Sequence, residues 1–465
     1  MTRTPTFRIP LSRELVPVSA LAALAPLGGR VLLESAAGRG RSILSAAPRR
    51  VLRWEVGQEG HDPFDGIAEL LDDEGAALVG LPGEPDPPFA GGWIGYLGYE
   101  VGDLLERLPP PAPAEPGELP SLWLGAFDWA VVWPRGGGAP ALEGAPLPGG
   151  DPAELRRRLR EVEALLAGAS GEGVASRREA PGEGVGTGWY AAGAGCLPPG
   201  VESSLGRAGF EAGVERIREY IRAGDLFQAN LTHRLQLPWA GTGEALYRAL
   251  RVRSPGPYSA CLETGEGEVA SISPEAFLTL RGGRVTTRPI KGTAPRGGDA
   301  EADRASGKDR AENVMIVDLL RNDLSRVCRP GTVRVPELAI LESHPTVHHL
   351  VSTVEGELEE GCGPVELLRA TLPGGSITGA PKIRAMEVLR ELEPVRRGVY
   401  TGALGVIERS GAMELSIAIR TATLGGGVAS YGAGGGITLD SDPEGEWLET
   451  LDKARPFLEL AGEGA

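Results

Sequence analysis

Lysine and cysteine are rare in this chain of 465 residues, and its net charge is negative. It carries 47 basic against 63 acidic residues, a net charge of −16, so no broad surface for nucleic acid or for an anionic membrane is expected. Its four cysteines, Cys196, Cys261, Cys328 and Cys362, lie far apart without CxxC spacing, which is typical of a reducing, cytoplasmic compartment. Since no run of 18 apolar residues occurs and the amino terminus has no apolar core, neither a membrane span nor a signal peptide is predicted.

Lysine is present at only four positions, and arginine supplies the other 43 of the 47 basic residues. The lysines are Lys291, Lys308, Lys382 and Lys453. A guanidinium cannot act as a neutral amine nucleophile, so a lysine retained against this bias is a candidate for chemistry. All four lie after residue 290, and we therefore expect the functional site in the C-terminal part of the chain.

The order of predicted elements indicates an α+β fold, because strands and helices mix without strict βαβ alternation. We predict a strand-rich subdomain over 1–145, a helix and exposed linker over 146–207, and a catalytic domain over 208–465. Apolar runs at 124–133 and 412–424 each predict one strand. Amphipathic patterns and caps predict helices at 151–168, 210–224, 309–324, 363–372, 381–392 and 443–460.

Two of these predicted helices carry acidic residues three positions apart. Asp309 and Glu312 share one helix, and Glu446 and Glu449 share the last helix. This spacing puts each pair on one helix face, where carboxylates can hold Mg²⁺, which needs few protein ligands and keeps positions for water and substrate. Spacing alone favours the other interpretation, in which the pairs are solvated helix faces and Glu449 pairs with Lys453 at i+4.

Several further features suit a small polycarboxylate ligand. LPGGSITGAPKIRAM places free amides and Lys382 at a helix start, an arrangement that binds anions. YGAGGGITLDSDPEGE exposes backbone to close approach, and PIKGTAPRG holds Lys291 at a turn. Arg420, in the predicted strand, needs either a ligand carboxylate or a buried glutamate as partner. His349 is either a satisfied core histidine or part of the site.

Six motifs occur together and in order: PIKGTAPRG, ENVMIVDLLRNDLSRVC, HHLVSTVEG, LPGGSITGAPKIRAMEV, LSIAIRTA and GAGGGITLDSDPEGEWLETLDKA. Through these motifs the sequence resembles the chorismate-utilising enzymes. The matching motifs are dense over 208–460, whereas in the N-terminal third only LLES and FAGGWIGYLGYE match. The resemblance implies two mostly antiparallel β-sheets packed face to face and flanked by helices.

The resemblance also implies a set of site residues. It places Mg²⁺ on Glu312 and Glu449, with Asp309 and Glu446 contributing through water; relatives carry Glu where this chain has Asp309. Its chorismate site corresponds here to Thr293, His349, Ser376, Tyr400, Arg420, Gly434, Gly435, Gly436 and Lys453.

Lys291 separates two branches of the family. Anthranilate synthases resemble this segment but read PIAGT, whereas aminodeoxychorismate synthases read PIKGT. The resemblance implies that neutral Lys291 adds to C2 of chorismate and displaces the C4 hydroxyl, with Glu275 of SISPEAF as the acid, and that ammonia then displaces the lysine. The ammonia is expected from a separate glutamine amidotransferase subunit.

Three other functions remain open from the sequence. An anthranilate synthase component I would share the fold, an isochorismate or salicylate synthase would use water, and a silent binding subunit would lack turnover. The segment Leu32–Ser35 resembles the family's tryptophan-binding segment, but the following AAGRGRSILSA departs from the family's Arg-Tyr-Ser-Phe continuation. Core packing of a strand is the expectation there.

Overall fold

The computed structural model describes residues 6–36, 40–58, 60–71, 88–169, 195–295, 307–343 and 347–462, with side chains left out at 292–295, 307–309, 343, 347–348 and 462. Across these ranges, every helix is too short or too polar to cross a membrane. Most of the predicted linker after residue 169 lies outside the described residues.

Nine α-helices form within the described ranges, and their ends follow local capping signals. Gly224, at φ +84°, ends one helix in the left-handed conformation that glycine tolerates. The Asp442 carboxylate accepts the Gly445 N–H at the start of another. The helices are α1 (Pro17–Ala23), α2 (Pro63–Ala68), α3 (Pro152–Ala169), α4 (Gly206–Ala223), α5 (Gly243–Arg253), α6 (Gly307–Ser325), α7 (Pro364–Thr371), α8 (Lys382–Leu392) and α9 (Pro443–Leu458).

Twenty-two strands lie in the same ranges. They are β1 (Phe7–Pro10), β2 (Val31–Glu34), β3 (Ser42–Ser45), β4 (Arg50–Trp54), β5 (Gly92–Leu97), β6 (Leu122–Phe127), β7 (Trp129–Trp133), β8 (Ala141–Gly144), β9 (Glu202–Ser203), β10 (Gln228–Pro238), β11 (Tyr258–Glu263), β12 (Glu268–Ser273), β13 (Ala276–Arg281), β14 (Arg284–Arg288), β15 (Ile290–Pro295), β16 (Arg334–Ser343), β17 (Val347–Glu357), β18 (Gly379–Ala380), β19 (Ala403–Glu408), β20 (Met413–Ile417), β21 (Thr421–Gly425) and β22 (Val428–Ile437).

The strands form two antiparallel sheets, which confirms the predicted α+β class. Sheet one has 12 strands in the order β1-β8-β7-β3-β2-β11-β12-β21-β22-β10-β18, with β9 beside β10. Sheet two has 10 strands in the order β15-β17-β14-β13-β20-β19-β5-β6-β4, with β16 beside β17. Both sheets combine strands from before and after residue 208. The boundaries predicted for the three parts of the chain stay a prediction.

Three apolar layers hold the sheets and helices together. One layer joins side chains of both sheets, such as Val31 of sheet one and Ile94 of sheet two. A second lies between sheet one and α1, α3, α4, α5, α8 and α9, and a third between sheet two and α2, α6 and α7. Strand β2 shows the two-residue period behind this arrangement, because Val31 enters the layer between the sheets and Leu32 the layer under the helices.

Two predicted strands are each divided between the sheets, and these predictions were wrong. The run at 124–133 breaks at Asp128, between β6 of sheet two and β7 of sheet one. Buried Asp128 accepts two hydrogen bonds from Arg158, at 2.7 and 2.8 Å. The run at 412–424 breaks after Ile417, so Arg420 is not in a strand but in a left-handed turn at φ +52°.

Candidate active site

The candidate site is built where the chain passes from one sheet to the other. Glu275 follows β12 of sheet one and precedes β13 of sheet two, while Arg420 lies between β20 of sheet two and β21 of sheet one. The two passages are bonded together, since the Ile417 N–H donates to the Glu275 carbonyl at 3.1 Å and the Ile272 N–H donates to the Arg420 carbonyl at 3.0 Å. Residues far apart in sequence are thereby held at one place.

Glu275 and Lys291 meet at Ser376. Lys291 Nζ donates to the Ser376 carbonyl at 3.4 Å, and the Ser376 side chain hydrogen-bonds the Glu275 carboxylate. Glu275 is 5% exposed, and this burial raises its pKa from 4.5 to about 7 against the opposing effects of Ser376 and the Lys291 charge. A carboxyl group that gains and loses its proton near neutral pH is suited to general acid–base catalysis.

Carboxylates from two helices converge on Gly435 and Gly436 near the end of β22. A methyl group added to Gly435 would lie 3.2 Å from Glu446 Oε2 and 3.8 Å from Glu449 Oε1. A methyl group added to Gly436 would lie 3.6 Å from Glu312 Oε2. Side chains of α9 and α6 thus reach two consecutive glycines of the same strand.

The carboxylate oxygens near these glycines are of the type that a hard cation such as Mg²⁺ prefers. Buried Glu446 accepts from the Ser441 hydroxyl at 2.6 Å, and Glu449 is half exposed. No ready-made cluster of three ligating side chains occurs in the described part of the chain. Glu312 with one glutamate of α9, completed by water and a substrate oxygen, is a donor set that suits Mg²⁺.

Lys453 takes part in two contacts at the same glycines. Its Nζ donates to the Gly434 carbonyl at 2.8 Å and pairs with Glu449 Oε1 at 2.7 Å. The i+4 ion pair left open by the sequence is therefore present, together with the approach of Glu449 to Gly435. Lys453 thus lies beside the glycine strand.

Arg420 lies among tyrosines rather than carboxylates. Burial raises the pKa values of both Tyr400 and Tyr431, and in each case the nearby Arg420 charge opposes the rise. The Tyr400 ring occupies the space that a side chain on Gly432 would need. Among the residues that the structure describes, no carboxylate forms an ion pair with Arg420.

The remaining predicted site residues lie on neighbouring strands. His349 of β17 is buried and stands opposite Thr293 of β15 and Glu342 of β16. The side chains of Thr293 and Asp309 are outside the described part of the structure, so their predicted contacts stay predictions.

Gln228 lies at the candidate site beside Gly436 and was missed by the sequence analysis. It is 2% exposed, and its side-chain nitrogen fills the space that a methyl group on Gly436 would need, beside Glu312. Its Oε1 is buried without a hydrogen-bond partner in the described structure. The alternation of side chains along an extended strand could have revealed it. Gln228 points inward because the preceding Phe227 points to solvent.

Lys382 forms an internal ion pair at the helix start where the sequence predicted an anion site. Its Nζ pairs with buried Asp323 at 2.6 Å and reaches the Thr371 carbonyl at 3.5 Å. This lysine therefore ties α8 to α6. Glu34 of the LLES segment is likewise used internally, because it accepts from Arg251 at 2.7 Å and from the Tyr247 hydroxyl at 2.5 Å.

Comparison with known proteins identifies the family of this chain. The family model of chorismate binding enzymes matches residues 28–459. The chain is 40% identical to aminodeoxychorismate synthase component 1 of Klebsiella aerogenes over 82% of this chain and 80% of that one. It is 38% identical to anthranilate synthase component 1 of Thermus thermophilus over 97% and 96% of the two chains.

A solved structure extends the comparison to three dimensions. Anthranilate synthase component I of Streptococcus pneumoniae superposes with a TM-score of 0.73 at 31% identity, covering 90% of this chain and 92% of that one. Identities to the two kinds of synthase are similar, so they do not separate the branches. The match over nearly the whole chain means that this protein belongs to the family of chorismate binding enzymes.

Proposed function

We propose that this protein is the chorismate-aminating component of an aminodeoxychorismate synthase. The observation that carries the proposal is the meeting of Lys291 and Glu275 at Ser376, which puts an amine beside a carboxyl group whose pKa is about 7. Its product would be 4-amino-4-deoxychorismate, for 4-aminobenzoate and folate biosynthesis.

In the first half of the proposed reaction, neutral Lys291 Nζ bonds to C2 of chorismate. The two double bonds of the ring shift by one position, the C4–O bond breaks, and Glu275 gives its proton to the leaving hydroxyl, which departs as water. The Glu275 carboxylate then takes the extra proton from the lysine nitrogen. The ring is left joined to the enzyme through a secondary amine.

In the second half, ammonia bonds to C4 and the double bonds shift back. The C2–N bond breaks, and Glu275 returns a proton to the departing Lys291 nitrogen and then takes one from the new ammonium group. Two displacements across the diene thus put the amine where the hydroxyl stood, with one water released for each ammonia used. Both residues end in their starting protonation states.

Substrate binding in this proposal uses the glycines and the cations around them. Arg420 and Lys453 are the charges available to the two carboxylates of chorismate, with backbone amides of Gly434 to Gly436 beside them. His349, Ser376, Tyr400 and Thr293 would line the same site. Glu312 and Glu449 would hold a magnesium ion, with Glu446 and Asp309 acting through water, and the ion would supply positive charge to neutralise the ring carboxylate and draw electrons from the diene.

The ammonia would come from a separate glutamine amidotransferase. The relatives in Klebsiella aerogenes and Thermus thermophilus are both named component 1, which implies a second component in those enzymes. The four cysteines are free thiols, which suits a cytoplasmic enzyme.

The test is incubation of the protein with chorismate, magnesium and ammonium, followed by identification of the product. We expect 4-amino-4-deoxychorismate, which an added lyase converts to 4-aminobenzoate. Without ammonium, intact-mass measurement should detect an adduct of chorismate less one water. Lys291→Ala and Lys291→Arg should both lack this adduct, because arginine keeps the charge but is not a neutral nucleophile. Normal turnover by Lys291→Arg would refute the lysine step.

Anthranilate synthase component I is the second candidate. It is favoured by the match to the Thermus thermophilus enzyme along 97% of this chain. Fluorescent anthranilate as the main product of the same incubation would establish it, and a product without nitrogen would point to isochorismate or salicylate synthesis.

A further inference from the structure

Three exposed apolar side chains stand together beside the candidate site and define the Phe227 patch: Phe227, Ile383 and Leu439. They are 72%, 43% and 45% exposed. The Phe227 N–H donates to the Ala380 carbonyl at 2.8 Å, three residues before Ile383. The pairing of Ala229 with Ile437, continued by two residues, brings Leu439 beside Phe227.

The patch is one residue away from the interior of the site. Phe227 immediately precedes Gln228, whose side chain packs on Gly436 beside Glu312. Because successive residues of an extended chain point to opposite sides, the same segment presents an aromatic ring to solvent and an amide to the site. A protein docked on Phe227 would therefore sit next to the glycines and carboxylates.

Ion pairs surround the apolar centre. Arg384 of α8 lies 3.7 Å from Asp225, and Arg218 of α4 donates to the Leu439 carbonyl at 3.1 Å while pairing with Glu215. An apolar centre with an aromatic anchor and a charged rim is the usual composition of a protein–protein interface. Exposed apolar side chains that cluster, rather than occur singly, indicate such a surface.

We infer that the Phe227 patch is the docking surface for the glutamine-hydrolysing subunit that supplies ammonia. The inference rests on the proposed function, in which ammonia must reach C4 of the bound substrate as the free base. Bulk water dilutes and protonates ammonia, so a donor docked beside the site delivers it more effectively than one bound elsewhere. The partner surface should offer a hydrophobic recess for Phe227, surrounded by charged side chains.

The test compares ammonium-supported with glutamine-supported product formation, using the purified amidotransferase subunit from the same organism at a concentration below saturation. Phe227→Asp and Leu439→Asp should each lower the glutamine-supported rate about tenfold or more and weaken binding of the subunit similarly. Their ammonium-supported rates should match the parent. Val252→Asp is the matched control, because Val252 is 68% exposed on α5, outside the patch.

The outcomes separate docking from catalysis. Unchanged subunit affinity in both patch variants would overturn the inference, as would an equal loss of the ammonium-supported and glutamine-supported rates. Loss of self-association instead of subunit binding would assign the patch to a second copy of this chain and also overturn it. A parent protein without any ammonium-supported turnover would overturn the proposed function, while the binding titration would still decide the docking surface.

Discussion

Replacing Glu275 with glutamine should slow the reaction and, at the same time, make the folded protein less sensitive to rising pH. Glu275→Gln keeps the size of the side chain and removes its proton. If Glu275 supplies a proton to the leaving hydroxyl, kcat should fall by roughly 100-fold or more. The parent rate should also decline above about pH 7, where Glu275 loses its proton, and the variant should lack this decline.

The stability change follows from the same pKa. An unfolded chain loses this proton near pH 4.5, and the folded protein loses it near pH 7. Between these values the folded state binds more protons, so its free energy of unfolding falls as pH rises and levels off above about 7. The fall amounts to about 3 kcal/mol at about 1.4 kcal/mol for each pKa unit. Glutamine has no proton to lose and avoids it.

Denaturant unfolding of both proteins from pH 5 to pH 8 checks this reasoning. The free energy of unfolding of Glu275→Gln minus that of the parent should rise with pH by up to about 3 kcal/mol. Glu100, whose pKa burial also raises to about 7, is present in both proteins and cancels in the difference. Glu100→Gln is therefore a control that should show a similar stability trend. A difference independent of pH would refute the assignment of the raised pKa to Glu275.

Three further changes test the surroundings of the site. Gly436→Ala should raise KM for chorismate strongly while the circular dichroism stays unchanged, because the methyl group would overlap the Gln228 side chain; a normal KM would contradict the assigned place of the glycines. Lys382→Met leaves the buried Asp323 carboxylate unpaired and should lower the free energy of unfolding by about 3 kcal/mol in urea titration, with little change in kcat; an unaltered unfolding midpoint would count against it. Chelation with EDTA should stop turnover and excess magnesium should restore it, so full activity in EDTA would remove the metal from the mechanism.

Local sequence signals predicted six of the nine helices in the described ranges and missed the short α1, α2 and α5. Gly224 ends α4 and Asp442 begins α9, because a left-handed glycine and a capping carboxylate act within one helical turn. The spacing of Glu446 and Glu449 also predicted correctly that both face one place, which is Gly435. Such predictions need only the geometry of a single helix.

Strand predictions failed where the chain changes sheets. The apolar runs broken at Asp128 and at Arg420 look continuous in sequence, yet their halves pair with different neighbours. Strand β20 pairs with β13 and β19 in sheet two, whereas β21 pairs with β12 and β22 in sheet one. Pairing is decided by partners distant in sequence, so no local pattern reveals which sheet a strand joins.

The sequence by itself determined the chemical inventory of this protein: a scarce lysine at 291, two acidic pairs at helical spacing, a glycine-rich strand and the ordered motifs of its family. These depend on residue type and short spacing, which the chain carries before it folds. Only the tertiary structure decided that Lys291 and Glu275 meet at Ser376, that Lys382 is used to tie two helices, and that Gln228 enters the site. These outcomes depend on long-range strand pairing and on burial, and burial is also what raises the pKa of Glu275.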